Sequence, residues 1–401
     1  MNNNKITSLS LLNYFYLSLM ILWHALQKSI MTFDAGGRTI FFSTLLVLFV
    51  NLRSRQFQKI AFGLPSRIWL IWVIYTAFNV YIQGYNVKNL LFSFFIILHL
   101  FAPYVVMVVS AFEFVKDKEK LLKVLLYSFL AYSIIGFFFM DNFYVAMQEG
   151  RDAGKTLGNL LAINTVFIVS CSALLYKFKV FSQKKMYMFI VFAVAIIVVS
   201  ATRKAFGAVI IIYISLIISQ TKLNFHNIIK IVAISTILYV GFDYMMENTF
   251  MGERFINEAE KEHYTGNNPF LKLVGDRASN YIIGYKIFQD NPIFGIGIGN
   301  YRSYTNTSLV LHTEYMVQLC ENGIVGFALF AMFYISIIYK LYKIKNNPIL
   351  KSGKTIMIGT ITAILFMGLT AWIYDFHFYF AVIGVAIGYI YYSRINTKRI
   401  E

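Results

Sequence analysis

Residues 291–326 read NPIFGIGIGNYRSYTNTSLVLHTEYMVQLCENGIVG and place His312, Glu314 and Glu321 just ahead of a long apolar run. A lone histidine at a helix entry is more often solvated or structural than catalytic, and both readings stand at this point. ATRKAFG (201–207) sets Arg203 and Lys204 between two apolar blocks. Their long stems suit snorkelling to an interface, and their charge suits holding an anion there. GRDAGKTLGN (150–159) carries Arg151 and Lys155, partly offset by Glu149 and Asp152. A polar turn ahead of a helix is the simpler reading, and a basic contact for an anionic lipid headgroup the sharper one. Arg277 follows Asp276 and is either a surface charge or its ion-pair partner. Asp375 and His377 lie in a tight turn between two apolar blocks, where they either join a site or cap a helix.

Two tempting motifs are set aside. GIGIGN (295–300) resembles a dinucleotide fingerprint, but Asn300 stands where the third glycine belongs and no strand precedes it. A loop that needs small residues is the better reading. EAEKEH (258–263) holds three glutamates and a histidine, a set more often found as a solvated charge run than as a metal site. No HExxH, CxxC or Walker A pattern occurs. Cys171 and Cys320 are isolated in or near apolar blocks and read as packing residues, with no disulfide framework or metal site.

The elements that must position these groups are membrane spans. The chain has 401 residues, is 58% hydrophobic and has a mean hydropathy of +0.62. A soluble domain is far less apolar. The apolar residues fall into blocks of roughly 15 to 25, which fits bilayer-crossing helices and not ten-residue alternating strands. About twelve spans are expected. They lie near 8–30, 38–52, 68–83, 90–112, 121–140, 157–176, 186–201, 205–220, 227–245, 323–342, 354–373 and 376–393. The first block lacks a small-x-small exit and reads as a span, not as a cleavable signal peptide. The blocks on either side of TRKA stay separate, because one continuous helix would bury Arg203 and Lys204 at mid-membrane.

Placing both termini in the cytoplasm puts most of the 36 basic residues in inner segments, against only Glu113, Asp117, Glu119 and Glu401. That is the positive-inside pattern, so the net charge of +17 is a topology signal. No basic face with interleaved aromatics points to nucleic acid. The chain reads as one membrane domain, 1–401, with no internal repeat. One long extracytoplasmic loop, about 246–322, joins the ninth and tenth spans, and a loop of that length suggests function. Within it, DRASNYIIGYKIFQD (276–290) sets Tyr281, Ile282, Tyr285, Ile287 and Phe288 near one side of a helix, and Arg277, Asn280 and Lys286 nearer the other. This predicts an amphipathic helix resting on the membrane surface, ended by Asn291-Pro292. A second short helix is expected over 312–322, with Gly323 opening the tenth span.

Three of these stretches, in this order, resemble the O-antigen ligase and O-antigen polymerase family of bacterial membrane glycosyltransferases. They are SATRKAFG (200–207), DRASNYIIGYKIFQDNPIFGIGIGNYRS (276–303) and HTEYMVQLCENGIVG (312–326). GRDAGKTLGNLLA (150–162) resembles a family stretch less tightly, and the first third of the chain matches only in topology. The resemblance implies an all-α, polytopic, GT-C-like membrane protein of the inner (plasma) membrane. It implies short amphipathic helices in the one large extracytoplasmic loop, and a site on that face. It implies a polyprenyl-diphosphate-linked oligosaccharide as donor, a glycan or lipid acceptor, and neither a nucleotide sugar nor an essential metal or other cofactor. By the same resemblance Arg203, Arg277 and His312 are the catalytic residues; beside them, Lys204, Arg151 and Arg302 are candidates for contacting substrate, and Glu314 is a weaker base candidate or a contact to sugar hydroxyls. Lys204 departs from the pattern, since a glycine often follows the first arginine.

The implied chemistry suits these residue types. An acceptor hydroxyl attacks the anomeric carbon while diphosphate leaves. Guanidinium groups are always charged and grip phosphate oxygens in a fork. An imidazole, with an unperturbed pKa of about 6.5, can take the hydroxyl proton. The expected activities are joining repeat units into a capsular or O-antigen-type chain, or ligating a finished glycan to a lipid or protein. Transport of the lipid-linked glycan without bond formation is the competing reading; it calls for ionisable groups near mid-membrane, where only His24 and His99 stand out.

Overall fold

The computed structural model describes residues 7–29, 33–83, 90–138, 155–200, 202–220, 229, 278–305, 311, 313–344, 348–374 and 376–398. Among these residues there are thirteen helical elements, two of them kinked, and no strand. The first group is α1 Ser8–Ser29, α2 Phe33–Leu52, α3 Arg55–Ala61, α4 Leu64–Gln83 and α5 Leu90–Phe138. Then come α6 Lys155–Lys177, α7 Gln183–Val199 and α8 Arg203–Gln220. The last group is α9 Ala278–Asp290, α10 Tyr301–Thr305, α11 Glu314–Tyr342, α12 Pro348–Gly368 and α13 His377–Lys398. Helices satisfy their own backbone groups, which the bilayer interior requires.

The outside of this bundle is greasy. Phe15, Phe42, Phe49, Phe78, Ile82 and Val191 are between 63% and 73% exposed, a surface suited to lipid and not to water. Among the described helices, Leu160–Lys177, Glu314–Tyr342 and His377–Ile395 are each long and apolar enough to cross a membrane. The pair α3 and α4, bent by 63°, makes a fourth if it is one broken span. The expected span at 227–245 lies outside the described residues, apart from residue 229, and so does the expected loop up to residue 277. EAEKEH (258–263) lies there too.

Three element boundaries differ from the sequence expectation, each for a local reason. The blocks at 90–112 and 121–140 are two helical arms, taken together as α5, that meet at a kink at Asp117 where a longer inner loop was expected. Asp117 is extended (φ −149°, ψ 85°), and its carboxylate accepts the Lys120 amide at 3.0 Å. It therefore caps the second arm while breaking the first. Within the expected inner loop at 53–67, the Ser54 hydroxyl accepts the Phe57 amide and starts α3. Pro348 opens α12 six residues early, since its missing N–H costs nothing in the first turn. The break between α7 and α8 falls at TRKA, as expected.

The frame that carries the site is α5 against α13. Two glycines on α13, Gly384 and Gly388, form a small-xxx-small stripe that lets the backbones touch. A β-carbon on Gly384 would lie 2.3 Å from the Met107 carbonyl, and one on Gly388 would lie 2.8 Å from that of Ala111. At the same contact the Ser110 hydroxyl donates to the Ala381 carbonyl at 2.6 Å. A stacked pair, Trp69 and Trp72, fills the space between α4, α11 and α13 with Phe330, Phe333 and Phe380. Gly384→Leu is expected to force α5 and α13 apart and to destabilise the protein by about 1–3 kcal/mol. Thermal unfolding in detergent checks this, with the half-exposed Ile395→Leu left near the parent midpoint.

Candidate functional site

Helix α11 is two helices joined at Gly323, where φ is 63° and ψ is −171°. The short first piece, Glu314–Asn322, has a buried polar row at i, i+4 and i+8. Gln318 donates to Glu314 at 2.8 Å and Asn322 donates to Gln318 at 3.0 Å. The Trp72 indole N–H also donates to Gln318, at 3.1 Å.

A break leaves carbonyls on one side and amides on the other without helical partners. The NPIFGIGIGN loop supplies them. Ile296 and Gly297 donate to the Cys320 and Glu321 carbonyls, and Ile324 and Val325 donate to the Pro292 and Ile293 carbonyls. The approach is too close for side chains. A β-carbon on Gly295 would lie 2.5 Å from the Glu321 backbone, and one on Gly323 would lie 2.3 Å from the Ile293 carbonyl. Both glycines also have positive φ. These glycines brace a broken helix, which is the small-residue loop the sequence suggested. The brace is locked from α4, where Asn79 donates to the Phe294 and Glu321 carbonyls and Tyr75 to the Asn322 carbonyl.

Glu321 turns back into the same loop. Its carboxylate accepts the Gly299 amide at 2.9 Å and the Tyr301 amide at 3.3 Å, at the start of α10. Tyr301 is itself buried, and its hydroxyl has no partner among the described residues. Burial, with Cys320 and Glu321 nearby, pushes its phenol up to about 12, so it stays protonated at neutral pH.

A second hub lies in the turn from Gly368 to Tyr374, between α12 and α13. The Lys204 ammonium donates to the Thr370 carbonyl at 3.2 Å. The Tyr281 hydroxyl, on α9, donates to the Leu369 carbonyl at 2.9 Å. The Trp372 indole donates to the Leu311 carbonyl, and the Thr313 hydroxyl to the Gly368 carbonyl at 3.5 Å. Glu314 closes the turn by accepting the Ile373 amide at 2.6 Å and the Tyr374 amide at 3.4 Å. One turn therefore gathers the TRKA stretch, the α9 stretch and the HTEY stretch.

The individual candidates fall as follows. Arg203 is the first residue of α8, beside the anchored Lys204, and its side chain lies outside the described residues. Arg277 lies outside them one residue before α9, and four before Tyr281. His312 also lies outside them, between Leu311 and Thr313, both tied to the turn. Arg151 and Asp375 are likewise outside. Arg302 is exposed on α10. Glu314 is buried with its carboxylate engaged by backbone amides and Gln318, and His377 is buried at the start of α13. The apolar side of α9 differs from expectation. Gly284 and Ile287 pack inward, with Gly284 against Met316 and Leu311, while Ile282 and Tyr285 are exposed. The helix thus has two apolar faces, one on α11 and one outward.

A family model described as O-antigen ligase matches residues 188–331. No curated protein matches the chain. The O-antigen ligase match runs from α7 through the break in α11 and takes in Lys204, α9, the glycine loop and Glu321. The Gly368–Tyr374 turn lies beyond it. Sequence reading singled out Asp375 and His377 at this turn but not residues 368–374, because their contribution is made by backbone groups. The only visible signal was its shortness between two apolar blocks.

Glu321→Ala is expected to leave two loop amides unpaired and to cost about 2–5 kcal/mol. Glu321→Gln keeps an acceptor and should cost less than half as much. Gly323→Ala should be at least as damaging as Glu321→Gln, since it adds strain and a clash. Unfolding midpoints of the three purified variants order them.

Proposed function

We propose that the protein is a bacterial membrane glycosyltransferase that moves a glycan from polyprenyl diphosphate to an acceptor hydroxyl, as a repeat-unit polymerase of surface polysaccharide. The family match supports an O-antigen ligase or polymerase type of enzyme. The observation that carries the site is the shared turn, since Lys204, Tyr281, Leu311 and Thr313 all bond to it. These are neighbours in sequence of Arg203, Arg277 and His312.

In this reading the twelve spans, both cytoplasmic termini and an extracytoplasmic site follow from the charge pattern. His312 removes the proton as the acceptor oxygen attacks the anomeric carbon. The bond from that carbon to the diphosphate oxygen breaks, and its electron pair leaves with polyprenyl diphosphate. Arg203 and Arg277 hold the diphosphate as charge gathers on it, with Lys204 beside them. Fixed cations at a water-poor interface stabilise such charge far more than in bulk water. Arg151 meets the headgroup and Arg302 the glycan. Glu314 acts from behind, fastening the turn against the helix that His312 precedes. A polymerase needs no second dedicated acceptor, which is why we prefer it. The family description favours the second reading, a ligase that passes a finished glycan to a lipid or protein.

Reconstitution with a purified polyprenyl-diphosphate oligosaccharide tests the proposal. A ladder of products supports the polymerase, and one addition to a different acceptor supports the ligase. Translocation without bond formation overturns both. Arg203→Ala, Arg277→Ala and His312→Ala should each lower the rate by about 10²-fold or more. Full turnover in any of them, at normal insertion, removes that residue from its role.

A further inference from the structure

A groove of about 480 Å³ runs between α1 and the second arm of α5, away from the site described above. Lys120 and Lys123 border one end of it, and Leu22 and Ala131 border the other. In its floor the Ser128 hydroxyl is already engaged, donating to Ser18 at 2.8 Å. The distance along the helix from Lys120 to Ala131 is roughly 16 Å at 1.5 Å per residue. That is about half of the ~30 Å hydrocarbon core, the depth of one leaflet. The groove is therefore charged at one end and apolar over a leaflet's depth.

The cations at its mouth differ from their neighbours. Lys116 pairs with the buried Glu113 at 3.0 Å, and Lys118 lies over the rings of Phe178 and Tyr392. Lys123 has no carboxylate partner among the described residues. Lys120 reaches Asp117 at 3.6 Å, in a pair 37% and 26% exposed that contributes little and exchanges readily. A bilayer-facing groove with one unpaired ammonium and one loosely held is complementary to a lipid with a negative headgroup. Under the topology proposed above, these lysines face the cytoplasmic leaflet, where anionic lipids attract basic side chains.

We propose that this groove is a binding site for one anionic glycerophospholipid, with an acyl chain between α1 and α5 and the phosphate at Lys123 and Lys120. The full chain, purified in a mild detergent, is titrated with phosphatidylglycerol or phosphatidylcholine, and retained lipid is counted by native mass spectrometry. One phosphatidylglycerol should be retained in preference to phosphatidylcholine. Replacing both Lys120 and Lys123 by Ala should reduce that preference on the order of tenfold. Replacing Lys184 and Lys185, on α7 and remote from the groove, should not. Ala131→Phe fills the apolar end and should also release the lipid with the lysines intact; if that variant fails to fold, the lysine comparison still decides. Equal retention of the two lipids overturns the proposal, as does an unchanged preference in the double variant. Competition by soluble glycerophosphate as strong as by the whole lipid would show a phosphate site without a chain. Displacement of phosphatidylglycerol by equimolar polyprenyl phosphate would assign the groove to the carrier lipid instead.

Discussion

A single buried carboxylate, Glu314, ties together two segments 59 residues apart in sequence. A polar group buried this completely is tolerated only where donors surround it. Here the donors are two turn amides and the Gln318 amide. Glu314 is also the first residue of its helix, where a negative charge meets the positive end of the helix dipole. Both effects hold the entry of α11 against the turn that precedes α13. With that contact fixed, Leu311 and Thr313 reach the same turn.

The second constraint is the broken helix. A continuous α11 would carry residues 314–322 straight through the bundle. Gly323 stops it, and the loop from Pro292 to Tyr301 repairs the exposed backbone groups. Because that loop follows α9 directly, the repair also fixes α9, and with it the Tyr281 contact to the turn. Packing, helix capping and the proposed chemistry are thus one arrangement. The same groups that satisfy a buried backbone bring three separate stretches to one turn.

Much of this was legible in the residues. Block lengths and hydropathy give an all-helical membrane chain, and the break at TRKA, a helix within 276–290 (Ala278–Asp290 in the structure) and the role of Gly323 follow from local rules. The need for small residues in GIGIGN was legible too, and the close approach of Gly295 to the Glu321 backbone supplies the reason. Long-range pairing was not legible. The turn takes part through carbonyls of Gly368, Leu369 and Thr370, which every residue type possesses, so no side chain announces it. Glu314 and Glu321 look alike in sequence, two polar residues before an apolar run, and only packing shows that one grips a turn and the other a loop. The capping role of Asp117 was not legible either, because a one-residue extended kink is enough to separate the two arms of α5.

Oxidative cross-linking of paired cysteines in membranes tests the convergence most directly. The pairs replace Tyr281 with Leu369, Lys204 with Thr370, and Leu311 with Trp372, in a chain whose Cys171 and Cys320 are changed to serine. All three pairs should close rapidly with an oxidant that cannot cross the membrane, added from the extracytoplasmic side. If the Tyr281 or Lys204 pair stays open, or closes only with a permeant oxidant, the three stretches do not meet at that face and the account fails.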